Sequence, residues 1–161
     1  MKNKKGFTLI ELLVVIAIIG LLSTLAVVAL NNARIKSRDA RRVSDVKQIQ
    51  TALELYLNDV GSYPESTAGQ GDCANSTQVD TEGLCLSSDN GIAATCAGTT
   101  YMAQMPADPL SDDDGGSGVP YCYTQDPDTS YSLTYELEGA TAGIISGPHV
   151  ATPAGMVDDN S

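Results

Sequence analysis

One carboxylate next to a long apolar run constrains this chain more than any other sequence feature. Glu11 lies five residues after Gly6, and residues 12–30, nineteen positions, carry no charged side chain. A helix of that length spans about 28 Å, close to the hydrocarbon thickness of a bilayer. An acidic side chain costs roughly 2.5 kcal/mol or more at mid-depth in a membrane. We therefore expect Glu11 to have a compensating partner, and the nature of that partner bears on function.

The apolar run has three possible interpretations. A secretory signal peptide has a shorter apolar core, closed by a small-residue cleavage site that is absent here. A buried core helix is disfavoured because the remaining chain is too small to surround it. A membrane anchor fits best, although basic residues on both sides of the run give only a weak orientation signal. The sequence thus predicts a basic leader at residues 1–6 and a transmembrane segment at residues 7–30.

The charges are strongly segregated along the chain. All nine Lys and Arg lie in the first 47 residues, whereas 17 of the 20 Asp and Glu follow them. An acidic region without basic residues is a poor nucleic-acid binder, because phosphate contacts need Lys or Arg. It suits an extracellular surface or a hard cation such as calcium. The basic cluster at residues 34–42 is interpreted as a juxtamembrane or inter-subunit surface that pairs with acidic groups or lipid phosphates.

The apolar helix is predicted to continue as an amphipathic half over residues 31–64. Apolar residues recur there at steps of three and four, which indicates one helical face against a core: Val43, Val46, Ile49, Leu53, Tyr56 and Val60. Gly61 and Pro64 are typical of a helix end. We expect one helix from about Phe7 to Val60.

The remaining chain predicts an α+β subunit, in which the long helix packs on a small antiparallel sheet. Residues 65–100 hold three of the four cysteines among Gly, Ser, Thr, Asn and Asp, and are predicted to form a disulfide-tied loop region. The sheet is placed in residues 101–150, and a flexible tail in residues 151–161. Alternation in residues 130–138 predicts a strand with one buried face: Tyr131, Leu133 and Tyr135.

The four cysteines, Cys73, Cys85, Cys96 and Cys122, are interpreted as two disulfides rather than a zinc site. They contain no C-x-x-C spacing and have no neighbouring histidine, and they follow an export-type N-terminus. Three pairings are possible. We favour Cys85–Cys96, which closes a small loop, with Cys73–Cys122, which ties the loop region to the sheet.

Few other residues suggest chemistry. Asp108, Asp112 and Asp114 precede a Gly-Gly turn and are candidate calcium ligands, the alternative being a solvated turn. His149, the single histidine, is expected in a surface loop. No phosphate-binding glycine loop, nucleophile elbow or metalloprotease motif occurs, so an enzyme is not expected.

The N-terminal residues resemble type IV prepilins and the pseudopilins of type II secretion. The resemblance rests on a leader ending in Gly6, the following segment FTLIELLVVIAIIG, and the D-x-G-x-Y-P pattern at residues 59–64. It implies that a prepilin peptidase cleaves between Gly6 and Phe7 and methylates the new amino group of Phe7. It further implies that Glu11 neutralises the terminal ammonium of a neighbouring subunit.

The same resemblance implies a structural function. The expected protein is a type IV pilus subunit that forms a homo-oligomeric helical filament with the help of assembly machinery in the membrane. It would cross the cytoplasmic membrane once before assembly and lie in an extracellular filament afterwards. A type II secretion pseudopilin is the alternative, and a membrane-anchored binding module is a further one. No cofactor is required, although calcium is possible because major pseudopilins bind it near the sheet.

Overall fold

The computed structural model describes residues 6–66, 73, 79–110, 118–126, 129–140 and 143–158. Its elements, in chain order, are α1 (Leu9–Val60), β1 (Val79–Asp80), β2 (Cys85–Ser87), β3 (Gly91–Ala93), β4 (Thr100–Met102), β5 (Cys122–Asp126), β6 (Ser130–Leu137), β7 (Gly147–Thr152) and β8 (Gly155–Asp158). The chain divides into two compact units, Met1–Ile35 and Lys36–Ser161. We call the second unit the head.

Helix α1 agrees closely with the helix predicted from the apolar pattern. It begins at Leu9 and ends at Val60. Gly61 follows with φ of 88°, and its amide donates to the Leu57 carbonyl at 2.8 Å. A backbone with positive φ favours glycine at this position, because other side chains are strained there. The stop signal read from the sequence is therefore the helix cap.

The core of the head lies between the second half of α1 and the larger sheet. The helix contributes five of the predicted stripe residues, whereas Val60 is 42% exposed and lies outside the core. The larger sheet contributes both tyrosines and aliphatic residues, and the buried core residues of the helix and of this sheet are Val43, Val46, Ile49, Ala52, Leu53, Tyr56, Val79, Tyr123, Tyr131, Leu133, Tyr135, Leu137 and Ala151, with Tyr121 directly before β5. Burial of these apolar side chains is the main stabilising contribution to the head.

Five antiparallel strands form the larger sheet in the order β1-β5-β6-β7-β8. Strand β6 is central and pairs with β5 and β7. Tyr131, Leu133 and Tyr135 are buried, while the residues between them are partly or fully exposed. The predicted strand and its buried face are confirmed, as is the α+β class with a long helix packed on antiparallel sheet.

Two segments differ from their prediction. Residues 65–100 were expected to form loops, but β2, β3 and β4 make a second, three-stranded sheet in the order β3-β2-β4. These strands have three residues each, too few for alternation to be recognised. The expected flexible tail instead contains the end of β7 and all of β8, which pair as a hairpin. Met156 on β8 packs against the core, which explains the order of this segment.

Both disulfides follow the pairing favoured from the sequence. Cys73 is bonded to Cys122 and Cys85 to Cys96, each with 5.9 Å between Cα atoms. The first bond closes a separation of 49 residues and holds Cys73 at the first residue of β5. The second joins β2 to the segment after β3. Cross-links of this kind stabilise a small core by restricting the unfolded chain.

Candidate assembly site

The first turns of α1 expose an almost entirely apolar surface. Every described residue from Gly6 to Arg34 is exposed, including Phe7 at 82% and Leu9 at 77%. Helix α1 contains a stretch long and apolar enough to cross a membrane, and no part of that stretch is buried within the chain. An apolar surface of this size is unstable in water, so it requires a lipid bilayer or other protein subunits around it.

Glu11 lies on this surface beside apolar neighbours. An open groove of about 400 Å³ is lined by Phe7, Ile10, Glu11, Val14 and Val15. The only polar side chain in that lining is the Glu11 carboxylate. The groove thus combines an apolar contact surface with one negative charge, an arrangement suited to an apolar segment that carries one positive charge.

The Glu11 carboxylate is held by Thr8 in a capping box. Its Oε2 atom accepts hydrogen bonds from the Thr8 amide at 2.8 Å and from the Thr8 hydroxyl at 2.6 Å. In return the Glu11 amide donates to Thr8 Oγ1 at 3.3 Å. The Thr8 carbonyl accepts the amide of Leu12 at 3.3 Å, so Thr8 is the N-cap of α1. Two otherwise unpaired amides at the helix start are satisfied in this way.

The predicted processing site lies directly before this cap. Gly6 and Phe7 are exposed and precede the first helical residue. An exposed peptide bond outside a helix is more accessible to a peptidase than a helical one. Cleavage and methylation here stay predictions, and the rest of the leader, residues 1–5, lies outside the described residues.

In the head, a buried arginine forms a second charged cluster that α1 shares with two distant segments. Arg42 is 3% exposed. Its Nε and Nη2 atoms donate to the two carboxylate oxygens of Asp108 at 2.5 and 3.0 Å, and Nη1 donates to Asp39 at 2.8 Å and Glu138 at 2.6 Å. Burial by itself lowers the pKa of Arg42, but the hydrogen-bonded carboxylates outweigh burial and raise that pKa above its usual value. The guanidinium is therefore charged and joins α1 to both segments.

Arg38 and Asp39 extend this cluster to the end of β6. Arg38 donates to both carboxylate oxygens of Glu138, one bond from Nε measuring 2.7 Å. Asp39 is fully buried and accepts the backbone amides of Glu138 at 3.0 Å and Gly139 at 2.8 Å. The helix and the strand end are thus connected through side chains and main chain. We call Arg38, Asp39, Arg42, Asp108 and Glu138 the arginine clamp.

The clamp should make the unfolding free energy of the head depend on pH. Hydrogen bonds from Arg38, and to a smaller extent from Arg42, lower the pKa of Glu138 to about 2 from an ordinary 4.5. Burial of the carboxyl group acts in the opposite direction. A carboxyl group with a lowered folded-state pKa contributes stability above its unfolded pKa and loses it as pH falls through the folded pKa. We expect the unfolding free energy of the head to fall between about pH 4.5 and 2. Urea unfolding followed by circular dichroism measures this.

The matched control for this pH dependence is Glu136, an exposed carboxylate on the same strand. Glu138→Gln should flatten the fall in stability over that pH window, whereas Glu136→Gln should retain it. An unchanged pH dependence in Glu138→Gln would show that the clamp does not set the acid stability.

The basic cluster is only partly the exposed surface expected from the sequence. The side chains of Arg38 and Arg42 form ion pairs within the head. The prediction of an inter-subunit surface is therefore wrong for Arg42, whose side chain is buried. Arg41 does remain 64% exposed and lies 3.7 Å from Asp45. Burial raises the pKa of Asp45, while Arg41 and the Tyr121 hydroxyl act in the opposite direction.

Of the three predicted calcium ligands, only Asp108 lies among the described residues. Asp108 binds Arg42 with both carboxylate oxygens and also accepts the Leu110 amide, so the ion pair competes with any metal for this carboxylate. Asp112 and Asp114 lie outside the described residues, and calcium there stays a prediction. No group of three or more His, Cys, Asp or Glu suited to a metal occurs in the described part of the chain.

His149 differs from its expected position in a surface loop. It lies on β7, is 1% exposed, and its Nε2 atom is 2.8 Å from the Ile145 carbonyl oxygen. Its ring lies 5.4 Å from that of Tyr135. Pairing of β7 with β6 and β8 places this residue inside the sheet, and the short local sequence did not indicate that pairing.

Two functional residues were not singled out from the sequence. Thr8 has a clear signal, because Thr-x-x-Glu before an apolar run is the capping-box spacing. Glu138 has none, since its partner Arg42 is 96 residues away; Asp108, the other distant partner of Arg42, was singled out only as a calcium ligand.

Known proteins are similar both to the N-terminal segment and to most of the whole chain. Residues 1–27 match the model of the prokaryotic N-terminal methylation motif. The type II secretion system core protein G of Escherichia coli strain K12 is 31% identical over 111 residues, covering 69% of this chain and 70% of that protein. Core protein G of Vibrio cholerae is 29% identical, covering 93% and 92% of the two chains. The type IV major fimbrial protein FimA of Dichelobacter nodosus is 30% identical, covering 84% and 89%. No solved structure matches significantly.

Proposed function

The chain belongs to the family of type II secretion core protein G and type IV fimbrial proteins, and from this we propose that it is the structural subunit of a type IV pilus. The proposed role is mechanical rather than catalytic. The subunit waits in the cytoplasmic membrane, crossing it once through the first part of α1. Membrane assembly machinery then extracts it into an extracellular helical filament of identical copies.

One observation carries this proposal: an exposed apolar helix with a single carboxylate beside its start. Methylation and cleavage would convert Phe7 into a chain terminus that bears an ammonium group. An ammonium and a carboxylate attract strongly in a medium of low dielectric, and each is heavily penalised when left alone there. Glu11 of one copy therefore pairs with the Phe7 ammonium of the next, and subunits in the wrong axial register lack this pair.

In this proposal, cleavage of the leader must precede assembly of the filament. Before cleavage, the position that precedes Phe7 is occupied by a peptide bond to Gly6 and carries no charge. Prepilin peptidase releases the ammonium that Glu11 of a neighbour needs. The basic residues of the leader are removed in the same step, so the mature chain is more acidic than its precursor.

The proposal is tested on filaments sheared from the surface of the source cells. We expect electron microscopy with an antibody against the head to label them. Mass spectrometry of the filament subunit should show a chain that begins at Phe7 and is one methyl group heavier than the unmodified sequence. Surface filaments without this chain, or a subunit that retains residues 1–6, would contradict the proposal.

A secretion pseudopilus is the second candidate, because core protein G of Escherichia coli and Vibrio cholerae are among the relatives. Deletion of the gene separates the two. Loss of surface filaments with normal export of secreted enzymes indicates a pilus, whereas loss of that export without loss of surface filaments indicates a pseudopilus. The two disulfides fit either location, because the periplasm and the cell surface are both oxidising.

A further inference from the structure

We propose that Arg34 is the phosphate-binding residue of a lipid site on α1, which holds the headgroup of an anionic phospholipid where the apolar segment ends. The site belongs to the unassembled subunit, so the inference rests on the membrane-inserted state in the proposed function. It adds a ligand of defined chemistry to a segment otherwise described only as an apolar anchor.

An open groove of about 460 Å³ lies across the end of the apolar run. Its lining consists of three exposed apolar residues followed by three exposed polar ones: Val27, Val28, Leu30, Asn31, Asn32 and Arg34. The apolar end of the groove is suited to an acyl chain. The amide and guanidinium groups at the other end are suited to a charged headgroup.

Helical spacing places both kinds of side chain on one side of α1. Val27, Leu30, Asn31 and Arg34 follow the pattern i, i+3, i+4 and i+7, and residues with these separations are neighbours on a helix surface. One lipid molecule can therefore contact the apolar and the polar members of the groove at the same time.

Arg34 differs from the other arginines of the basic cluster in having no carboxylate partner among the described residues. The side chains of Arg38, Arg41 and Arg42 all form ion pairs with carboxylates of the head. The exposed guanidinium of Arg34 presents five donors in a planar fork, which matches the oxygens of a phosphate group. Lipid phosphates are the anions present where a membrane-spanning helix leaves the hydrocarbon, so a headgroup supplies the missing partner.

The position of Arg34 relative to Glu11 also fits the thickness of a bilayer. The two residues are 23 positions apart in one α-helix, which corresponds to about 35 Å along its axis. The hydrocarbon core is about 30 Å thick. A phosphate held by Arg34 at one surface therefore leaves Glu11 at the opposite boundary, where a carboxylate costs less than at mid-depth.

Lipid binding to the full chain in detergent micelles tests the site. Native mass spectrometry gives the dissociation constants of phosphatidylglycerol and of phosphatidylcholine with the same acyl chains, and we expect phosphatidylglycerol to bind more tightly. Arg34→Gln should lower this preference about fivefold, because one basic residue near an anionic membrane surface contributes about that factor. The lysines of the leader act equally in every variant.

Lys36→Gln is the matched control, because Lys36 is exposed, carries the same charge and does not line the groove. It should keep the preference of the original chain. Equal binding of both lipids to the original chain, or an unchanged preference in Arg34→Gln, would overturn the inference. An equal loss in both variants would overturn it in favour of diffuse attraction, and displacement of the lipid by excess inorganic phosphate would overturn it in favour of a free anion.

A second measurement locates the lipid on the chain. In the full chain with isotope-labelled arginine, phosphatidylglycerol should shift the Nε–H resonance of Arg34 and leave that of Arg41 in place. Equal shifts of both resonances, or none at Arg34, would contradict the site.

The failure of this inference can be told apart from the failure of the proposed function. A chain that does not float with phosphatidylglycerol–phosphatidylcholine vesicles would refute membrane insertion, and with it both proposals. A chain that floats with the vesicles but shows no effect of Arg34→Gln on lipid preference would refute this inference alone.

Discussion

Replacing Glu11 with alanine is expected to abolish filament assembly while the subunit still accumulates in the membrane. In the proposed filament, the substitution would leave the Phe7 ammonium of the neighbouring copy in an apolar contact without a counter-charge. Leaving one member of a buried ion pair unpaired costs about 3–5 kcal/mol, or roughly a hundred- to several-thousandfold in association. The measurement is the sheared filament fraction relative to total subunit, by immunoblotting.

Ser23→Ala is the control for this experiment. Ser23 donates its hydroxyl to the Ile19 carbonyl within the same exposed helix, so its removal deletes a polar group but no charge. It should assemble at the level of the original chain. A membrane-anchored binding module would need α1 only as a tether, so normal activity and location of the Glu11→Ala protein would favour that interpretation over a filament subunit.

Arg42→Met is expected to destabilise the head more than any other single substitution in the arginine clamp. Methionine has a similar volume but leaves the buried carboxylates of Asp39 and Asp108 without their cation. Removing one partner from a buried ion pair typically costs about 3–5 kcal/mol in unfolding free energy. Urea unfolding of residues 36–161, followed by circular dichroism, measures this change.

Arg41→Met supplies the matched control on the next residue. Arg41 is largely exposed and its contact with Asp45 is long, so its loss should cost no more than about 1 kcal/mol. Adding Asp108→Asn to Arg42→Met should recover part of the lost stability, because one unpaired charge is removed. Equal effects of Arg41→Met and Arg42→Met would contradict a structural role for the clamp.

The N-terminal half of this protein can be read from local sequence because its determinants are local. The leader, Gly6, Phe7 and Glu11 lie within a few positions of one another, and the match to the N-terminal methylation motif covers the same residues. Helix α1 follows from apolar composition, three-to-four spacing and a Gly61 stop. Strand β6 was equally predictable from the sequence, because its eight residues are enough to show the alternation of apolar and polar side chains.

The head could be predicted only in outline. Strands β2 to β4 have three residues each, and their partners are set by tertiary pairing and the Cys85–Cys96 bond rather than by a repeating pattern. Strand β8 is held in place by its pairing with β7. His149 is buried because β7 lies between β6 and β8. The partner of His149 on β6, Tyr135, lies outside the local sequence around residue 149.

The arginine clamp shows most clearly what only tertiary structure decided. From composition, Arg42 is one member of a basic run that would be expected to face solvent or lipid. The fold brings Asp108 and the end of β6 against the same helix turn, so the run divides into buried and exposed arginines. Glu11, by contrast, needed no tertiary contact to be recognised, because a lone charge at the start of a membrane-spanning helix is costly. Local sequence was therefore enough to predict how the subunit is anchored and processed, whereas the long-range charge pairing that connects the parts of its head required the tertiary structure.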